Sequence, residues 1–208
     1  GREALDALNP TVATVNQVHG DQLLWTDKVE KRERPADALA TTTFGLAIGV
    51  YSADCAPILV AALSGSGRPL GVMAVHGGWR GTAMGIAGKA LEQFAGKLKE
   101  ASSFAAVIGP CISFGSFEVG EEVVQAFPGA EARGQARFLR IEGDRKKYLF
   151  DLPGENARQL QEVAVQHKLR LDLETIPLCT FREKDSLPSF RRDREKAGRL
   201  LSYIVFEG

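Results

Sequence analysis

The sequence predicts an α+β domain built on mixed sheets. Apolar, β-branched runs of strand length outnumber amphipathic helical segments, and helices do not follow every strand, which disfavours a doubly wound parallel sheet. The 208 residues, 44% of them apolar and without internal repeats, predict a single domain over 1–208 with a substantial core. Gly1 stands where a start methionine would, so a native segment ahead of it is expected.

In chain order, Arg2–Leu8 reads as a helix end stopped by Asn9-Pro10, because proline disfavours helix in the preceding residue. The β-branched alternation of Thr11–Val18 predicts a strand, His19-Gly20-Asp21 its turn, and Gln22–Thr26 a second strand pairing back on the first. The charged run Asp27–Pro35 reads as a solvated loop. Phe44–Tyr51 and Ile58–Leu63 are apolar, strand-like runs on either side of Ser52-Ala53-Asp54-Cys55-Ala56-Pro57. A Gly/Ser turn then leads into Gly71–Thr82, where a short apolar run delivers His76 to Gly77-Gly78-Trp79-Arg80-Gly81. Glycines there let a backbone approach a bound group closely.

Ala83–Lys99 has the spacing of an amphipathic helix, with Thr82 as its expected N-cap. Phe104–Ile108 predicts another buried strand, broken at Gly109-Pro110-Cys111, and Glu121–Phe127 a short helix. Phe138–Ile141 and Lys147–Phe150 bracket a turn at Glu142-Gly143-Asp144. Asp151-Leu152-Pro153 carries the cap and early proline of a helix running to about His167. Leu171–Ile176 is a strand, Phe181–Lys196 a polar loop, and Leu200–Phe206 the last strand.

Lys plus Arg equals Asp plus Glu at 26 each, so no overall field draws the chain to nucleic acid or an anionic membrane, and a small-molecule substrate is favoured. No apolar run reaches the roughly 20 residues of a membrane helix. Three scattered cysteines make no disulfide framework, which points to reducing cytoplasm.

His19, Cys55 and His76 each fall at the end of a predicted strand. Two imidazoles and a thiolate with an open fourth position describe a catalytic zinc site; buried thiol and capped imidazoles are the bland alternative. A third reading makes Cys55 a nucleophile with His76 as its base and Asp54 or His19 orienting. Arg80, among glycines, suits anion capture. Trp79 suits stacking on a planar ligand or core packing, and Cys111 either lines the same pocket or only packs. Asp37 and Glu118 read as a turn residue and a helix-start carboxylate, Cys179 as an inert buried thiol, and His167 as solvated. Arg191-Arg192-Asp193 is a phosphate contact or an exposed charge run, and composition favours the run.

Five ordered motifs nevertheless coincide with a known pattern: Gln17-Val18-His19-Gly20; Ala53-Asp54-Cys55-Ala56-Pro57; His76-Gly77-Gly78-Trp79-Arg80-Gly81; Gly109-Pro110-Cys111-Ile112 with Phe117-Glu118-Val119-Gly120; and Phe190-Arg191-Arg192-Asp193 with Gly198-Arg199. Together they resemble the YfiH/YlmD family, also called the laccase-domain or polyphenol oxidoreductase family. The chain departs from it in lacking an N-terminal Arg-x-Gly-Gly-like loop and in having Phe117 where tyrosine is common.

The resemblance implies a layered α/β/β/α fold with mixed sheets, similar to that of cytotoxic-necrotizing-factor cysteine hydrolases. It also implies zinc, or alternatively copper, on residues matching His19, Cys55 and His76. Its activities have been assigned as purine nucleoside phosphorylase with adenosine deaminase, copper-dependent polyphenol oxidase, and editing of peptidoglycan precursors. The leading expectation is therefore a zinc-dependent enzyme of adenosine or inosine, with Cys55, His76 and Arg80 catalytic and Gly77, Gly78, Trp79, Arg80 and Cys111 contacting nucleoside and phosphate. The expected state is a cytoplasmic monomer or weak homodimer. The rivals are a hydrolase of cell-wall precursors working through Cys55 or metal-activated water, a copper phenol oxidase, and a non-catalytic metal- or nucleotide-binding module. A single mononuclear centre lacks the several coppers that four-electron reduction of dioxygen calls for.

Overall fold

The structure is a computed structural model that describes residues 12–29 and 31–207, so the helix expected at Arg2–Leu8 lies outside the described residues. Its centre is a six-stranded mixed sheet in the order β12-β8-β6-β7-β4-β2. These strands are β2 (Leu23–Trp25), β4 (Ala38–Thr41), β6 (Ala56–Leu63), β7 (Pro69–Gly77), β8 (Ser103–Ile108) and β12 (Leu171–Thr175). A four-stranded sheet, β13-β5-β1-β3, combines β1 (Val12–Asn16), β3 (Lys31–Pro35), β5 (Ala47–Ser52) and β13 (Leu200–Val205). The layered, mixed-sheet α+β class is as the sequence predicts.

Strand periodicity explains the layering. Successive side chains point to opposite faces, so Ile58, Val60 and Ala62 of β6 enter one core with Met73 and Val75 of β7. That core is closed by Ile86, Leu91 and Phe94 of helix α2 (Ile86–Lys97) and Leu160 of helix α4 (Leu152–Gln166). Leu59 and Ala61, with Val72 and Ala74, face the other way and pack on Ala13, Val15, Ile48 and Val50 of the second sheet. Both faces of β6 and β7 are therefore covered, which accounts for their nearly continuous apolar runs.

A smaller third sheet, β10-β11-β9, joins β9 (Glu118–Gly120), β10 (Ala136–Glu142) and β11 (Arg145–Phe150). With helix α3 (Glu121–Gln125) it forms a satellite core around Phe117, Phe127 and Phe150, against which Trp79 and Ala83 pack. The hairpin turn falls at Glu142–Asp144 as the sequence predicts, and Asp151 caps α4 by accepting from the Gly154 amide at 3.0 Å. No described helix is long and apolar enough to cross a membrane.

Three local expectations are corrected. Strand β2 pairs in parallel with β4, not back on β1, because the Val18–Gly20 amides wrap around the Asp37 carboxylate and carry the chain to the other sheet. Part of the Asp27–Pro35 loop is instead β3, parallel to β1 at an open edge. A charged sequence ending in proline suits such an edge strand, where it discourages further pairing.

Thr82, finally, does not cap a helix. Helix α1 (Trp79–Ala83) already starts after Gly78, and Gly85, at φ +85°, breaks it from α2. The Thr82 hydroxyl donates instead to the Gly78 carbonyl at 2.9 Å and meets Asn156 of α4. Within the polar loop, Phe190–Asp193 forms one helical turn, α5, capped by Ser189.

Candidate metal centre

The β6/β7 register builds the first half of the site. Ala56 pairs with Gly77 and Pro57 with His76, so Cys55, one residue ahead of β6, lies beside the end of β7. His19 arrives from the other sheet. Its loop is set by Gln17, whose buried side-chain amide donates to the Tyr51 carbonyl at 2.7 Å and accepts from the Tyr51 amide at 2.8 Å, fastening the end of β1 to β5.

Asp37 sits between these parts, fully buried. Its carboxylate accepts from the amides of Val18 at 3.1 Å, His19 at 3.0 Å and Gly20 at 2.6 Å, and lies 2.8 Å from His76 Nδ1. The His76 amide in turn donates to the Asp37 carbonyl at 2.7 Å. One side chain thus orients both imidazoles. Burial alone would raise the Asp37 carboxyl, but His76 and the amides of Gly20 and Val18 outweigh it and hold the group below its ordinary 3.8. By sequence Asp37 reads as a turn residue; the signal for its role is an acid immediately ahead of the apolar strand Ala38–Thr41.

The donor atoms of His19, Cys55 and His76 all lie within 4.8 Å of one another, and the two imidazoles meet edge to face at 4.9 Å. With Nδ1 of His76 engaged by Asp37, its Nε2 is left as the donor. Burial works against a charged Cys55, yet the His76 charge and hydrogen bonds with His19 and His76 lower its thiol well below the ordinary value. His76 is likewise opposed by burial but raised by Cys55 and Asp37. A thiolate and two imidazoles, one oriented by a carboxylate, fit a zinc-type ion with an open position, and copper shares the preference for such donors.

Packing keeps the three donors close. A Cβ on Gly78 would stand 2.8 Å from His19 Cδ2 and 3.2 Å from Cys55 Sγ; one on Gly81 would stand 2.6 Å from the Gly20 carbonyl oxygen. One on Gly77 would meet Asn156 Oδ1 at 2.8 Å. None of these three glycines has positive φ. Their small size, more than backbone freedom, is what the site uses.

The centre lies at one wall of a cavity of about 270 Å³, lined also by Trp79, Arg80, Ile112, Phe117 and Phe190. Arg80 is exposed there, its guanidinium 4.4 Å from the Trp79 ring, while Trp79 both lines the cavity and packs partly on the satellite core. Gly77, Gly78 and Cys111 do not line the cavity. Cys111 is buried in the main core, its backbone paired with that of Cys179 while both thiols stay free, and burial raises its thiol; its neighbour Ile112 takes the wall position.

Cys179 is buried as expected, but hydrogen bonds with Ser113 and Ser116 outweigh burial and lower its thiol to about 7. His167, half exposed, pairs with Glu92 at 3.1 Å. Asp54, a candidate orienting acid, turns away from His76. At φ +85° its carboxylate accepts from Thr180 Oγ1 at 2.6 Å, Ser189 Oγ at 3.1 Å and the Arg191 amide at 2.6 Å, which fixes the segment bearing Phe190 and Arg191 at the cavity.

Sheet-on-sheet layering with a His-Cys-His donor set beside an aromatic cavity defines a metal-binding class of α+β protein. The chain belongs to the family described as multi-copper polyphenol oxidoreductase laccase, whose sequence profile matches residues 2–207. It is 34% identical over 190 residues, covering 91% of this chain and 72% of the relative, to "Purine nucleoside phosphorylase YfiH" of Shigella flexneri. Among solved structures it is similar to the protein YfiH of Bacillus licheniformis (TM-score 0.78, 26% identity, 99% of this chain and 79% of that one). It is also similar to YlmD of Geobacillus stearothermophilus (TM-score 0.77, 26% identity, 100% and 79%).

Proposed function

We propose that this chain is a zinc-dependent purine nucleoside phosphorylase acting on inosine and adenosine with inorganic phosphate. The observation that carries the reading is the convergence of His19, Cys55 and His76, the first two of which line a cavity of about 270 Å³, near the small end of ligand-site volumes. Relatives that carry the name purine nucleoside phosphorylase support it.

His19, Cys55 and His76 would hold the metal, which when bound supplies Lewis acidity at the cavity wall. Trp79, Phe117 and Phe190 offer apolar faces to the purine, since aromatic rings stack well on planar heterocycles. Arg80 orients a phosphate oxygen toward the ribose C1′. There the C1′–O bond forms as the glycosidic C–N bond breaks, and the base leaves with the proton that dihydrogen phosphate gives up. Asp37 keeps a proton on His76 Nδ1 and so leaves Nε2 as the nitrogen for the metal. Deamination of adenosine is a second activity of the same cavity under this reading, water forming the C6–O bond as the C6–N bond breaks and ammonia leaves with one of the water's protons, the other staying on the purine. Its setting is the cytoplasm, supported by three free thiols, and its state a monomer or weak homodimer.

Incubation with inosine and phosphate, followed by chromatography, is expected to release hypoxanthine and ribose-1-phosphate in the intact protein and neither in Cys55→Ala or His76→Ala. Equal turnover in these variants would overturn the reading.

A second reading rests on a separate observation: Cys55, His76 and Asp37 form a continuous thiol–imidazole–carboxylate relay. It makes Cys55 the nucleophile of an amide hydrolase acting on peptidoglycan precursors, with His76 as base. Hydrolysis that persists in chelator, together with covalent labelling of Cys55 by a substrate-like electrophile, would select it.

A further inference from the structure

The charge run after Phe190 divides into two parts that the sequence does not distinguish. Arg192 is consumed internally: it donates to the carbonyls of Thr180, Phe181 and Leu187 and pairs with Asp193 at 2.7 Å. Arg191 and Arg194 instead line the cavity. Arg191 is half buried, its backbone amide held by Asp54 at 2.6 Å and one guanidinium nitrogen donating to the Glu118 carbonyl at 2.6 Å. Its guanidinium carbon lies 5.4 Å from the centre of the Phe117 ring, so one edge is anchored and the rest left to the cavity. Arg194 is exposed and has no side-chain ion pair among the described residues. It adopts φ +52°, ψ −131°, a conformation that disfavours any residue with a Cβ.

Two guanidiniums so placed repel each other. Burial and the Arg194 charge together lower the Arg191 guanidinium from its ordinary value, although Asp54 and Glu118 act in the opposite direction. Among the described residues the only carboxylate lining the cavity is that of Asp54, and it is already engaged by Thr180, Ser189 and the Arg191 amide. Arg80 adds a third positive group to the same walls. The chain as a whole has no net charge, so this excess is local, and a cavity lined by one sign of charge concentrates the opposite one.

We propose that Arg191 and Arg194 form a phosphate-binding subsite at the rim of the cavity, a paired guanidinium clamp for a tetrahedral oxyanion. The subsite deepens the phosphorylase reading and rests on it for its purpose, but its existence is readable without turnover. The anion is either free inorganic phosphate, the attacking group in phosphorolysis, or the 5′-phosphate of a purine nucleotide. Forked guanidinium donors match phosphate oxygens in both.

Isothermal titration calorimetry of the metal-loaded protein, with sodium phosphate in one arm and inosine 5′-monophosphate in the other, tests the clamp. The protein is compared with Arg194→Gln, Arg191→Lys and the distant control Arg68→Gln. Among the described residues the Arg194 side chain has no hydrogen bond or ion pair, so its substitution tests the clamp without loosening the segment.

The expected result is binding of at least one probe, weakened about tenfold or more in Arg194→Gln and Arg191→Lys, as for loss of a charge-assisted contact, and unchanged in Arg68→Gln. Phosphate as the ligand identifies the co-substrate; the nucleotide alone identifies its 5′-phosphate. Absence of binding to both probes, or equal binding by all four proteins, would overturn the clamp. Retained binding without inosine turnover leaves the clamp standing and removes the phosphorylase reading. Inosine phosphorolysis with both the KM for phosphate and the affinity for inosine 5′-monophosphate unchanged in Arg194→Gln does the reverse.

Discussion

The two sides of the cavity are built on different principles. The candidate metal centre is made of strand ends and the loop at the end of β1, drawn together by Asp37 and packed so tightly that methyl groups on Gly77, Gly78 or Gly81 would collide with neighbours. The rim carrying Phe190, Arg191 and Arg194 belongs to a polar segment held to the sheets through the carboxylate of Asp54 and the contacts of Arg191 and Arg192. The first arrangement suits a rigid donor set; the second suits recognition, where a few side chains on an anchored segment meet a ligand. Each side hangs on a buried acid, so the two can be perturbed separately.

Removing a ligand should have the greatest consequence. Cys55→Ala is expected to lower metal affinity by more than about 100-fold, beyond what is usual for groups that only orient ligands. Binding at the arginine rim should survive. Metal analysis and phosphate calorimetry on one sample would check both, and parallel loss of the two would show that the sides are not independent.

Asp37→Asn should come next, at about 10–100-fold in metal affinity, because His76 loses its charged partner. It also has a pH signature. The Asp37 carboxyl is held below its unfolded value, so the stability it contributes is present above about pH 4 and lost as pH falls through the folded value. The gap in thermal midpoint between wild type and Asp37→Asn should therefore narrow on acidification below pH 4. A gap independent of pH would place its role in packing.

Asp54→Asn should act on the other side. Asparagine tolerates the positive φ at this position, but the charge that holds Thr180, Ser189 and the Arg191 amide is gone. We expect about a tenfold rise in KM for phosphate with bound metal unchanged, taking the loss of one or two charge-assisted hydrogen bonds as the scale. Smaller still is Gly78→Ala. Its methyl group would stand 2.8 Å from His19, so a cost of about 1–3 kcal/mol in stability and reduced metal retention are expected, read by thermal denaturation.

The sequence made the metal side more legible than the rim. His19, Cys55 and His76 stand out because each follows or ends an apolar strand beside glycine or a turn, and the β6/β7 hairpin is short enough to infer that two of them are neighbours. Asp37 was hidden because its partners lie 17 to 39 residues away, across two sheets. The contacts of Asp54 span 126 to 137 positions, beyond any local pattern. In the run from Arg191 to Lys196, charge alone does not say which arginine turns inward; that depends on Ser189 capping α5 and on the backbone of Arg194. Strand β3 was missed for a related reason: a charged edge strand and a solvated loop have the same composition.

The ligand geometry is the most exposed point. X-ray absorption at the zinc edge of the metal-loaded protein should fit one sulfur near 2.3 Å and two imidazole nitrogens near 2.0–2.1 Å, the sulfur disappearing in Cys55→Ala. A first coordination sphere without sulfur, or one unchanged by that substitution, would contradict a centre made of His19, Cys55 and His76.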